Sequence, residues 1–207
     1  MVRRVPGKPF EPEEYFLEEG TSLHRVFSNQ RKGGVVEFNP GVGSRTRFAF
    51  FGDPKIPALY AAQTEEAAIC ESILHDVPPG PGCIVYDNIS DKVCAPLVPT
   101  RRLRLASFMG DGLRKIDTEA KYVTGTMASQ YGRTVRWAEA AHTAGFEGLV
   151  WMSHRRNTDR AFVFFGDRIT SGDLEAVAGG GRIFAVGSDF DWLVDYLAGL
   201  KIEILMP

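Results

Sequence analysis

The segment Ala58 to Asp76, ALYAAQTEEAAICESILHD, decides how the rest of the chain is read. ALYAA has the small, apolar and aromatic make-up of a buried strand. Gln63 closes it, and Thr64 stands where an N-cap stands, with Glu65 and Glu66 at the positive end of the helix that follows. At 100° per residue, Ala67, Cys70, Ile73 and Leu74 form the buried stripe of that helix. Glu71 falls at the edge of the stripe, between Ala67 and His75. A solvated residue pairing with His75 at i+4 is one reading of it, worth a few tenths of a kcal/mol. A carboxylate facing a site is the other.

Upstream, SLHRVF and RTRFAFF read as strands, and period 2 places Arg45 and Arg47 on one face of the second. Between them NQRKGGVVEFNPGVGS is loop-like. No Lys-Ser/Thr pair or helix start makes it a phosphate-binding loop. Residues 1–19, rich in Pro and Glu, read as a segment over the surface or towards a partner. Downstream, CIVYDNI is a strand, and RRLRLAS is a strand or a solvated edge. A helix begins near Thr134 and stops at Gly145. LVWMS and AFVFF pair across the loop HRRNTDR, with Trp137 and Trp151 in the core. The tail carries a last helix with Ser188 as its N-cap and a stripe of Phe190, Leu193, Val194 and Leu197. This mixed order of elements points to an α+β fold rather than a doubly wound parallel sheet.

Composition limits the function classes. The 207 residues, 44% hydrophobic, suffice for one domain with a real core. A formal net charge of -2 argues against a broad nucleic-acid footprint and leaves room for local arginine clusters. The cysteines Cys70, Cys83 and Cys94 have no metal-ligand spacing and read as reduced, in a cytoplasmic protein. The start MVRRVPGKPFEPEEYF has no apolar run, so neither a signal peptide nor a membrane span is expected. His24, His75, His142 and His154 are scattered without HExxH or CxxC, and no metal is expected. No GxSxG elbow, Walker motif or GxGxxG occurs.

What remains is a set of arginines on strands, a tyrosine at the end of a strand, a carboxylate at a helix edge and a serine at the end of another strand. Guanidinium groups in fixed positions match the oxygens of a dinucleotide pyrophosphate. An aromatic ring stacks on a base or on nicotinamide. A single carboxylate lowers the barrier to breaking a nicotinamide-ribose bond by stabilising the oxocarbenium-like sugar, and nicotinamide leaves neutral, without a strong general acid.

The motifs HRVF, RTRF, ALYAAQTEEAAICE and GLVWMSHRRNTDRAFVFF together resemble the RES domain, found in toxins paired with Xre-type antitoxins. The resemblance spans roughly Leu23 to Phe165. It implies an ADP-ribosyltransferase-like core of mixed and antiparallel sheets with flanking helices, and consumption of NAD+ by phosphorolysis or hydrolysis. NAD+ is then the substrate, inorganic phosphate a co-substrate, and no cofactor is needed. Carried over by position, Arg25 and Arg47 hold pyrophosphate or phosphate, and Arg45, on the same predicted strand face, is the alternative to Arg47. Tyr60 flanks nicotinamide, Glu71 stabilises the ribosyl cation and Ser153 orients the substrate.

On this reading residues 1–22 are an N-terminal extension, 23–170 the catalytic domain, and 171–207 a C-terminal extension whose helix packs on the domain or a partner. The expected partner is an Xre-type antitoxin covering the cleft, with homodimer contacts around Trp192 and no direct contact with nucleic acid or membrane. Two other readings stay open: ADP-ribose transfer to a protein or small molecule, and a catalytically silent nucleotide-binding or antitoxin-binding module.

Overall fold

A computed structural model describes residues 2–30 and 32–207. In chain order its elements are β1 (Glu13–Leu17), β2 (Leu23–Ser28), β3 (Ala58–Ala62), α1 (Glu65–Ser72), β4 (Gly82–Val85), β5 (Lys92–Pro99), β6 (Leu103–Ser107) and α2 (Asp111–Lys115). There follow α3 (Ala120–Val123), α4 (Tyr131–Thr143), β7 (Gly148–Met152), β8 (Arg160–Phe165), β9 (Leu174–Ala176), β10 (Arg182–Ile183), α5 (Ser188–Gly199) and β11 (Ile202–Leu205).

Nine strands form one sheet in the order β1-β6-β7-β8-β3-β2-β5-β10, with β9 also on β5, and β11 and β4 make a separate parallel pair. The large sheet is antiparallel except where β6 meets β7. Alternation sends the side chains of β8 to opposite faces. Val163 and Phe165 join Trp137, Trp151 and Phe48 beneath α4. Phe162 and Phe164 join Leu17, Leu23, Leu59 and Leu105 on the other side. A third cluster lies under α1 and α5, around Ala67, Ile69, Phe184, Leu193 and Leu197. Cys70 Sγ and the Tyr196 hydroxyl, 3.5 Å apart, tie the two helices together.

The local signals of the quoted segment hold. Thr64 Oγ1 accepts from the Ala67 amide and caps α1, and the Thr64 hydroxyl donates to Asp159 Oδ2 at 3.2 Å. β7 and β8 pair as the hairpin expected, and Trp137 and Trp151 are fully buried.

Elsewhere the fold departs from the sequence reading. RTRFAFF is not a strand: the Thr46 amide and hydroxyl both donate to the Ala49 carbonyl, and the Phe48 amide donates to the Tyr60 hydroxyl. With these groups satisfied by a turn and a side chain, the period-2 placement of Arg45 beside Arg47 no longer applies. Within the N-terminal segment, Glu13–Leu17 pairs residue for residue with β6 and forms the sheet edge. That makes β6 an internal strand rather than a solvated edge. α4 starts at Tyr131, three residues before Thr134. The cap position of α5 is Gly187 at φ 76°, with Ser188 the first helical residue. Val194 faces solvent instead of completing the stripe.

One feature of the sheet positions the site. β2 and β3 share a single residue pair, His24 with Ala62, whereas β2 pairs with β5 along six residues from Leu23 to Ser28. Beyond that pair β2 and β3 separate, and a cleft opens between them.

Candidate functional site

The cleft has a volume of about 900 Å³ and is lined by Arg25, Phe27, Asn39, Tyr60, Ser72, His75, Asp76, Asn88 and Lys92, among others. A smaller cavity of about 30 Å³ shares Arg25, Val26, Tyr60 and Ser72 with it and reaches Glu71 and Trp151. Glu71 therefore stands at the inner end, brought there by the capped helix α1.

Both Glu71 oxygens are held. Arg47 Nη1 donates to Oε2 at 3.1 Å, and the His154 amide donates to Oε1 at 3.2 Å. The alternative partner, His75, pairs with Asp76 instead. Arg47 is itself fixed from three sides. Its carbonyl accepts from the Thr134 hydroxyl, its guanidinium carbon lies 5.7 Å from the centre of the Tyr131 ring, and Glu71 holds one Nη. Its Nε is buried with no hydrogen-bond partner among the described residues, an unfilled donor beside the carboxylate.

Tyr60 connects the loop to the sheet. Its hydroxyl lies 2.8 Å from Thr46 Oγ1 and accepts from the Phe48 amide at 3.1 Å, so the ring at the cleft also clamps both neighbours of Arg47. Burial pushes this phenol up to about 12, against the pull of Thr46, Phe48 and the Arg47 charge. The hydroxyl is therefore un-ionised at neutral pH. Arg25 Nη1 donates to the carbonyls of Val35 and Glu37 at 2.6 and 2.7 Å and pins the Gly-rich loop over the cleft.

Ser153 is fully buried, and its Oγ accepts from the Arg156 amide at 3.3 Å. It shapes the turn that presents the His154 amide to Glu71. The His154 ring is held below the usual imidazole range by burial, then by the Arg155 and Arg47 cations, with Glu71 pulling the other way. Arg45 is exposed and lies over the start of α4, where its Nη1 would stand 3.0 Å from a Cβ at Gly132. Of the two candidate arginines, Arg47 is the one that meets Glu71.

The smaller cavity is thus lined by Arg25, Tyr60 and Glu71, Arg47 joins them through its bond to Glu71, and Ser153 stands one residue before the amide that holds Glu71. Sequence reasoning did not single out Thr46, Thr134 or the His154 amide. Thr46 and His154 contribute a loop hydroxyl and a backbone donor with no signal beyond standing next to Arg47 and Ser153, and Thr134 contributes a helix hydroxyl 87 positions away from Arg47.

A model of the RES domain matches residues 22–184, a stretch that runs from the start of β2 through β10. No curated protein matches the sequence. Among solved structures, this chain is similar to a chain in the crystal structure of the M. tuberculosis MbcT-MbcA toxin-antitoxin complex. The TM-score is 0.54 at 14% sequence identity, covering 78% of this chain and 84% of that one. At this identity the likeness is one of fold, and the fold is of the mixed α+β class expected.

Proposed function

This chain belongs to the RES domain family, and on that premise we propose that it is the NAD+-degrading toxin of a toxin-antitoxin pair. It cleaves the nicotinamide-ribose bond with phosphate or water as acceptor. The observation that carries the reading is the two-point fixing of Glu71, by Arg47 and the His154 amide, at the inner end of a cleft between two separating strands.

In the proposed reaction the nicotinamide nitrogen leaves with the electron pair of its bond to C1'' and departs neutral. Glu71 stabilises the positive charge that develops on the ribose, as a preorganised carboxylate that needs no reorientation. An oxygen of phosphate or water then bonds to C1'', and water in doing so releases one proton to solvent. The products are nicotinamide with ADP-ribose 1''-phosphate in the first case and with ADP-ribose in the second. Arg47 positions the carboxylate and offers its unfilled Nε to a phosphate oxygen. Arg25 and Tyr60 line the path of the dinucleotide, and Lys92, paired with Asp91, stands at the cleft wall.

The partner proposed is an Xre-type antitoxin that blocks the cleft. The complex in which the similar structure was solved, a toxin with its antitoxin, supports an antitoxin as partner. A homodimer through α5 is a separate proposal. There Trp192 is half-buried, stacked on Tyr196 with ring centres 5.7 Å apart and with Arg182 over its face.

The test is to incubate purified protein with NAD+, with and without inorganic phosphate, following nicotinamide release and the phosphorus spectrum. Phosphate-dependent release with a new phosphomonoester signal means phosphorolysis. Release without phosphate means hydrolysis, or transfer if ADP-ribose appears on protein by mass spectrometry. No release from folded protein free of any partner would replace the enzyme with the silent binding module.

A further inference from the structure

β2 presents His24 on the face opposite Arg25, and a second cluster of chemically capable side chains gathers there. Val26 pairs with Cys94 on β5, and Cys94 pairs with Arg182 on β10, so His24, Cys94 and Arg182 project to one side of the sheet. α1 packs against β2 and β5, and Glu65 opens its first turn. The nearest donor atoms of His24, Glu65 and Cys94 all lie within 4.8 Å of one another. Cys94 is fully buried, and His24 Nδ1 is buried without a hydrogen-bond partner among the described residues.

A buried imidazole nitrogen with nothing to bond to requires an explanation. The neighbours that could satisfy it are a thiol and a carboxylate, the two other side-chain classes that zinc takes alongside imidazole. We propose that His24, Glu65 and Cys94 form a three-ligand site for a divalent cation of the zinc class, with water in the fourth position. Bond lengths of about 2.0 to 2.3 Å put tetrahedral donors roughly 3.3 to 3.8 Å apart, so separations within 4.8 Å close by at most about 1 to 1.5 Å. Side-chain rotation supplies a movement of that size.

The charges balance. Binding replaces the Cys94 thiol proton, which goes to solvent, and the dication then meets one thiolate and one carboxylate. Arg182 Nε donates to Glu65 Oε2 at 2.9 Å, with Asp189 on the same guanidinium, and orients the carboxylate from behind. The ligands come from β2, α1 and β5, and the Arg182 contact adds β10 and α5. The cation would cross-link the start of α1, the helix that carries Glu71, to the sheet. This role is structural and does not depend on the NAD+ reading.

The test uses the full chain, stripped with a chelator and titrated with Co2+, which reports a bound thiolate by charge-transfer absorption and tetrahedral geometry by intense visible bands. The expected result is a single Co2+ per chain displaced by Zn2+, with the charge-transfer band lost in Cys94→Ser and kept in Cys83→Ser, an exposed control. His24→Gln and Glu65→Gln should each weaken binding by about tenfold or more. Circular dichroism checks that every variant is folded, and if Cys94→Ser is not, the His24 and Glu65 variants decide. Absence of Co2+ binding to folded protein, a band that survives in Cys94→Ser, or binding unchanged in both other variants would overturn the site.

Discussion

Arg47 Nη1 lies 3.1 Å from Glu71 Oε2, with side chains 9% and 11% exposed, an ion pair joining a loop to a helix edge across 24 positions of sequence. A pair this enclosed loses most of its hydration on folding, and breaking one side leaves the other charge without compensation. Arg47→Ala should therefore destabilise the protein by about 3 kcal/mol or more, read from the urea midpoint. Glu71→Ala should cost a comparable amount. The double variant should cost less than the sum of the two.

Glu71→Gln removes the negative charge and leaves one acceptor oxygen, enough for Arg47 or for the His154 amide but not for both. Nicotinamide release is expected to fall by about 100-fold or more with the fold retained. Unchanged turnover in folded protein would remove Glu71 from the reaction.

Tyr60→Phe takes away the acceptor of the Phe48 amide and the partner of Thr46. Stability should drop by about 1 to 3 kcal/mol, the usual cost of an orphaned buried donor. Because the same hydroxyl clamps the residues on either side of Arg47, turnover should fall as well, and NAD+ binding measured by calorimetry should weaken.

Alkaline pH offers an independent check. The Tyr60 phenol sits at about 12 in the folded chain against 10.0 ordinarily. Above pH 10 the unfolded chain gives up a proton that the folded chain keeps, so stability falls as pH rises through this window and is undiminished below it. Urea midpoints measured at about pH 9 and about pH 11.5 should show a decline for the wild type that is smaller for Tyr60→Phe.

Gly125 separates a catalytic effect from a folding one. A Cβ there would stand 3.1 Å from His154 Nδ1 and press on the residue whose amide holds Glu71. Gly125→Ala should lower turnover several-fold while shifting Tm by only a few degrees. A normal rate would mean that His154 moves without disturbing the carboxylate.

Thr64→Ala removes the cap of α1 and the bond to Asp159. The expected loss is about 1 to 2 kcal/mol, or roughly 2 to 4 °C in Tm for each kcal/mol at this size.

Elements whose signals are local are legible in the amino-acid order. The strand, cap and helix from Ala58 to Ser72, the β7 and β8 hairpin and the buried tryptophans follow from period, capping and apolar content within short windows. The amino-acid order also marked Arg25, Arg47, Tyr60, Glu71 and Ser153 as a group, through resemblance rather than through spacing. The rest depends on contacts between distant parts of the chain. RTRF looked like a strand because its alternation is correct, but its backbone bonds went to Ala49 and to the Tyr60 hydroxyl. The choice between Arg45 and Arg47 then fell to which of them that turn points at Glu71. The N-terminal strand found its partner in β6, and His24, Glu65 and Cys94 met across two strands and a helix. Each of these outcomes depends on which distant group completes a hydrogen bond or shares a sheet face, and such pairings are set by the packing of the whole chain.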